Sequence, residues 1–137
     1  MTAKPVITVT TLDLERLQKV IDDAPEDLQE QADLLQEELL RANVVKPGQV
    51  PADVVTMNSR VRFRVQPGDI EREMTLVYPR DADAAANRIS VLAPAGAAML
   101  GLTTGDHIDW PTPSGGTVDV CILEVVYQPE RAGDLHR

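Results

Sequence analysis

The spacing of apolar residues changes character partway along the chain. Leu14, Leu17 and Ile21 recur at three and four, with Val20 beside them, and Leu28, Ala32, Leu35 and Leu39 follow at four, three and four. That is the period of helices with one buried face. The first predicted helix runs from about Leu12 to Asp23, with Thr10 or Thr11 as N-cap and Asp13 completing a short capping box. Ala24-Pro25 breaks it, and Pro25, Glu26 and Asp27 suit the first turn of a second helix that reaches about Ala42. Leu34 and Leu40 widen the apolar face of that second helix. Its main stripe is an a/d seam, and so short a link requires an antiparallel pair. The arms span about 18 Å and about 27 Å at the rise of an α-helix. Helices of this length are marginal alone, so packing against each other and the following residues must hold them.

Val44 to Pro51, with breakers Pro47, Gly48 and Pro51, marks a boundary, and the period then drops to two. Ala52 to Val55 is expected to begin a sheet. Val61, Phe63 and Val65 alternate inward against Arg60, Arg62 and Arg64. Pro67-Gly68-Asp69 reads as a hairpin, and Met74, Leu76 and Tyr78 mark one face of the next strand. Pro79 to Asn87 is a polar loop, and Ile89 to Ala93 returns as a strand. Pro94 opens a helix whose residues Ala95 to Leu100 carry no charge and little bulk, so it must lie close against other backbone. Gly101 stands where a helix end favours positive φ. Gly105-Asp106 turns the chain into a strand from His107 to Trp110, and Pro113 to Gly116 form a tight loop into the longest strand, Thr117 to Tyr127. Its inward set changes phase near Ile122-Leu123, which predicts a bulge. Pro5 to Thr10 reads as a short strand or arm, and the tail beyond Pro129 as frayed. The chain is thus predicted as α+β: an N-terminal arm and helical hairpin over residues 1–46, then an antiparallel sheet domain with one short helix over residues 47–137.

Composition narrows the function classes. The chain has 137 residues, and aromatics are confined to Phe63, Tyr78, Trp110 and Tyr127, so the core must be aliphatic. The net charge of −9 argues against nucleic acid as the main partner and against sequence-specific DNA binding. Asp13 to Glu38 alone holds ten acids against two bases. The one cysteine, Cys121, forms no internal disulfide and reads as a small buried hydrophobe. No signal-peptide core or membrane-length apolar run is present, which leads to an expectation of a cytoplasmic protein with no membrane partner.

Candidate chemistry is sparse. Asp22, Asp23, Glu26 and Asp27 crowd the hairpin tip, where carboxylates could help hold a divalent cation. Acids near a helix start are also what the helix dipole favours, and a solvated tip is the preferred reading. Arg60, Arg62 and Arg64 could engage an anion, but pairing with Glu71 and Glu73 on the neighbouring strand explains them as well. His107 and His136 have no metal-ligand spacing, and neither a nucleophile elbow nor a phosphate loop is present. No metal, cofactor or catalytic residue is expected, and a self-contained enzyme is disfavoured.

The runs Asp53 to Phe63, Thr75 to Pro79, Ser90 to Leu102, Gly105-Asp106 and Val126 to Asp134 closely resemble the Rnk family, regulators of nucleoside diphosphate kinase, which belongs with the GreA/GreB transcript-cleavage factors. The resemblance covers nearly the whole chain. It implies an N-terminal antiparallel coiled coil and a C-terminal domain of FK506-binding-protein-like fold. It also implies a monomer that binds core RNA polymerase at the rim of the secondary channel. Ala93, Pro94, Ala95 and Gly96 match the segment implicated in docking. Gre factors carry acids at the coiled-coil tip that help hold magnesium for RNA cleavage. The hairpin here is shorter and its tip does not align, and each missing turn costs about 5.4 Å of reach. The resemblance therefore implies a regulator that competes with Gre factors and influences nucleoside diphosphate kinase levels without cleavage activity of its own. The alternatives are a Gre-like cleavage stimulator using the acidic tip and, more remotely, a prolyl isomerase by fold analogy.

Overall fold

The computed structural model describes residues 6–66, 68–111 and 115–132. Pro5, Pro67, the Pro113-Ser114 part of the last hairpin loop and His136 lie outside them. The N-terminal arm contributes strand β1 (Thr8–Thr10), and helix α1 (Thr11–Asp22) follows without a break. Thr10 is the N-cap: its hydroxyl accepts the Asp13 N–H at 3.0 Å. The Asp13 carboxyl interacts with the Thr10 side chain and also reaches further than a cap residue need. Its Oδ2 accepts the Met57 N–H at 3.1 Å, across the molecule.

The second helix starts later than its sequence suggests. Pro25 stays extended, Glu26–Leu28 form a single 3-10 turn, and α2 spans Gln29–Arg41. Leu17, Ala32 and Leu35 are fully buried, and Leu14, Val20, Ile21, Leu28 and Leu34 pack at the margin. Leu40 does not widen that face; it is 78% exposed, because the buried stripe passes through Leu35, Glu38 and Leu39 instead. Gln18 donates from Nε2 to Gln36 Oε1 at 2.8 Å between the two helices. After α2 the chain forms β2 (Asn43–Val45), which pairs in parallel with β1.

The main sheet has five strands: β3 (Arg60–Gln66), β4 (Ile70–Val77), β5 (Arg88–Ser90), β6 (His107–Pro111) and β7 (Thr117–Tyr127), in the order β5-β4-β3-β7-β6. Val61 and Phe63 face the core as their alternation predicts. The bulge falls at Leu123: Phe63 pairs with Ile122 and Arg62 with Glu124, so Leu123 is skipped.

Four features depart from the sequence reading. Ala52 to Val55 is not a strand; Val54 makes one isolated bridge to Thr103, and a turn held by Ser59 Oγ on the Thr56 N–H ends the run. The sheet is not wholly antiparallel, since β5 runs parallel to β4 after a connection containing two 3-10 turns, Pro79–Asp81 and Ala84–Ala86. That strand stops at Ser90, whose Oγ and carbonyl capture the Leu92 and Ala93 N–H groups. Pro129–Ala132 form a helical turn, α4, where a frayed tail is expected, so with α3 (Pro94–Met99) the described C-terminal part has two short helices.

One hydrophobic core joins these parts. Ile7, Val9, Leu17, Ala32, Leu35 and Leu39 share a cluster with Phe63, Leu76, Met99, Trp110 and Ile122. The helical pair therefore lies on the sheet domain along its inner face. Trp110 fixes the contact: it is 2% exposed, and its indole N–H donates to Gln31 Oε1 at 3.1 Å.

Candidate functional site: the acidic tip and the turn before α3

The tip is a compact turn. Asp23 and Ala24 N–H groups close onto Lys19 and Ile21 carbonyls, the Leu28 N–H bonds the Pro25 carbonyl, and Gln29 Nε2 donates to Ala24 O at 2.6 Å. Asp22, Asp23, Glu26 and Asp27 are all exposed. Asp22 accepts a long contact from Gln18 Nε2 at 3.4 Å. Among the described residues no group of three or more Asp, Glu, His or Cys is arranged to hold a metal ion.

The second cluster is built by close packing. Ser90 ties down Leu92 and Ala93, and Pro94 begins α3 with no donor wasted. A Cβ on Gly96 would stand 2.1 Å from the Ser90 carbonyl oxygen, so only glycine lets the helix approach this strand. Gly101, at φ 80, closes the far end, where a Cβ would meet Ile7 at 2.8 Å. Gly96 is buried, and Ala93, Pro94 and Ala95 are half-buried at the surface.

The fold brings part of these two clusters together. Asp27, Leu28, Glu30 and Gln31 line one wall of a cleft of about 250 Å³, and Ser90, Leu92, Ala93 and Pro94 line the other. Asp22, Asp23 and Glu26 do not line it; Asp23 opens onto a larger neighbouring cleft beside Tyr78.

The arginine row is spoken for, as the pairing across β3 and β4 suggests. Arg60 pairs with Glu73, Arg62 with Glu71 at 3.4 Å and Glu124 at 3.3 Å, and Arg64 with Asp69 at 3.4 Å. His107 is exposed and meets Asp119 at 3.2 Å. Cys121 is half-buried on that outward face, opposite Arg64 and His107, so it is not the core residue its neighbours suggest.

A buried polar cluster near the start of α1 has no counterpart in the sequence reading. Thr56 Oγ1 donates to Glu130 Oε1 at 2.7 Å and meets Ser59 Oγ at 2.9 Å. Asp13 lies beside it on α1. Burial pushes the Asp13 carboxyl up from 3.8 to about 6; Glu130 adds to the rise, and the Met57 N–H, Arg16 and Thr10 oppose it. The signal available was a single acid at a helix start, which reads as a cap residue.

The region matched to the family described as "Transcription elongation factor, GreA/GreB, C-term" spans residues 50–127, and "Rnk N-terminus" spans residues 5–45. The chain belongs to the GreA/GreB family, in its Rnk branch. It is 44% identical over 133 residues to the regulator of nucleoside diphosphate kinase of Escherichia coli K12, covering 96% of this chain and 97% of that one. A solved structure, the prokaryotic transcription elongation factor GreA/GreB from Nitrosomonas europaea, is 48% identical with a TM-score of 0.70, covering 90% of this chain and all (100%) of that one. The transcription elongation factor GreA of Leuconostoc citreum is 32% identical over 84 residues, covering 61% of this chain and 52% of that factor. Among the described residues of this GreA/GreB family member, no helix is long and apolar enough to cross a membrane.

Proposed function

We propose that this GreA/GreB family member is a cytoplasmic regulator of transcription that binds core RNA polymerase as a monomer. In this reading Ala93, Pro94 and Ala95 dock at the rim of the secondary channel, and Gly96 keeps that turn in shape. The helical pair acts as a short antiparallel coiled coil over residues 1–46, carried by an FK506-binding-protein-like domain over residues 47–137. The chain competes there with Gre factors, does not stimulate cleavage, and reaches nucleoside diphosphate kinase levels through transcription.

The observation that carries the reading is the cleft between Asp27 and Pro94. Asp27, the one acid of the tip that lines it, faces the turn at Ala93 and Pro94 across this cleft. The arms are 12 and 13 residues long, about 18 Å and about 20 Å, and their inner stripe is already spent on the sheet domain. A pair held in this way presents its tip beside the docking turn. It acts as an acidic rim contact more readily than as a deep probe.

The test is a cleavage assay on stalled elongation complexes with and without a Gre factor. This protein at saturation is expected to suppress Gre-stimulated cleavage and to produce none itself. Ala93→Trp, which fills the cleft mouth, is expected to weaken binding to core polymerase at least tenfold at an unchanged melting temperature. Gre-stimulated cleavage that persists at saturation would sink the competition model. Cleavage by this protein alone, lost in the Asp22→Ala and Asp23→Ala variants, would establish the stimulator reading in its place.

A further inference from the structure

The strongest unassigned feature is the cleft of about 590 Å³ behind the tip, between α1 and the end of β4. A volume of that order suits a small organic ligand. On a chain of net charge −9, this cleft reverses the local balance: Arg16, Lys19 and Arg80 line it against Asp23 and Asp81. Asp81 is already engaged by Arg80 at 3.8 Å. Its remaining walls are apolar, from Val20, Leu28, Pro79 and Leu92 among others.

Tyr78 is the second observation. It lines the same cleft and is 8% exposed; the Arg16 side chain lies against its hydroxyl, and among the described residues no acceptor takes the buried O–H. Tyrosine hydroxyls that are buried usually find a partner, and an unmet one costs free energy. Burial and the Asp13 carboxylate hold the phenol above its usual range, so it is an O–H donor at neutral pH, although Arg16 and Arg80 pull the other way. The Asp13 carboxylate is near but does not accept from this donor, which leaves the O–H, with Arg16 and Arg80 beside it, open to an incoming anionic oxygen. A phosphate group has several such oxygens pointing in different directions, which suits donors arriving from both walls better than a planar carboxylate does.

We propose that this cleft binds a small phosphate monoester, its phosphoryl oxygens taken by the Tyr78 hydroxyl with Arg16, Lys19 and Arg80, and its apolar body lying against Val20, Leu28 and Leu92. Arg16 and Lys19 come from the helical pair, and Tyr78 and Arg80 from the 3-10 turn that follows β4, so the ligand bridges the two parts of the molecule. Binding would then raise the melting temperature, because only the folded chain assembles the site. This inference does not depend on the polymerase reading.

The experiment is a two-dimensional NMR titration of the whole protein with phenyl phosphate, using phenol and inorganic phosphate as comparisons. Phenyl phosphate is expected to shift the amides of Lys19, Asn58 and Arg80 saturably and to raise the melting temperature. Phenol at equal concentration should do neither, and inorganic phosphate should bind at least fivefold more weakly. Tyr78→Phe, which removes one oxygen, and Lys19→Gln, which removes one exposed charge, should each weaken binding at least fivefold while remaining folded. No saturable shift at ten times the ordinary cellular range of phosphate esters would overturn the proposal. So would equal affinity in wild type and Tyr78→Phe, or shifts at amides remote from the cleft.

Discussion

Asp13 shows how one residue does two jobs that the sequence reveals only in part. Thr10 and Asp13 are legible as a helix start, and the Thr10 hydroxyl does cap α1. The destination of the Asp13 carboxylate is not legible, because its acceptor role is set by Met57, which is 44 positions away in the chain. Its raised pKa has a consequence for stability. The folded state holds the proton more tightly than the unfolded chain does, so falling pH through the range from about 6 to about 4 stabilises the fold, and the gain is lost as pH rises through about 6. The difference is at most about 3 kcal/mol for a shift of this size. Asp13→Asn keeps an oxygen for the Met57 N–H and removes the charge. It is expected to be at least as stable as the parent at pH 7 and to flatten that part of the pH dependence, measured by urea unfolding at pH 4.5, 5.5 and 7. An unchanged slope would place the titration on another group.

At the scale of elements, strands with clean alternation are legible in the sequence and segments held by distant partners are not. β3 and β6 follow from period two, and the bulge at Leu123 follows from a change of phase in β7; β4 does not alternate cleanly, since Leu76 and Val77 are buried in succession with Tyr78 just beyond. Ala52 to Val55 looks like a strand because it is apolar, yet its backbone is satisfied piecemeal by Leu102, Gly101 and Pro51, which no local pattern reveals. The helical pair is legible from its stripe, but its seat on the sheet is not. Gln31 and Glu38, buried on the inner face of α2, were the available signs that this face meets polar groups. Gln31 answers the Trp110 indole, and Glu38 is paired with Arg41. Gln31→Leu leaves the indole N–H buried without an acceptor, a loss of about 1 to 3 kcal/mol. Chemical denaturation followed by Trp110 fluorescence should report that loss, whereas Gln36→Leu on the partly exposed side should cost less than about 1 kcal/mol. Equal effects at the two positions would mean that the Trp110 contact does not anchor the pair.

The whole molecule decides what the parts can do alone. A boundary near residue 46 is easy to draw from the change of hydrophobic period, and the family matches fall on either side of it, at 5–45 and 50–127. The core does not respect that boundary. Ile7, Val9, Leu17, Ala32, Leu35 and Leu39 from the first segment cover Trp110, Met57 and Leu102 of the second, and the Gly101 carbonyl receives the Thr8 N–H at 3.1 Å. Each large side chain uncovered is worth about 1.5 to 3 kcal/mol, against a total stability of about 5 to 15 kcal/mol for a domain. Several are uncovered at once when residues 1–46 are removed. Residues 47–137 expressed alone are therefore expected to lose cooperative unfolding and to shift Trp110 emission toward that of a solvated indole. Adding residues 1–46 as a separate peptide should restore part of both signals. A truncated chain that unfolds cooperatively with a buried Trp110 would show that the second segment is self-sufficient. The helical pair would then be a detachable arm, able to swing away from the turn at Pro94, and the proposal that tip and turn act as one surface would fail with it.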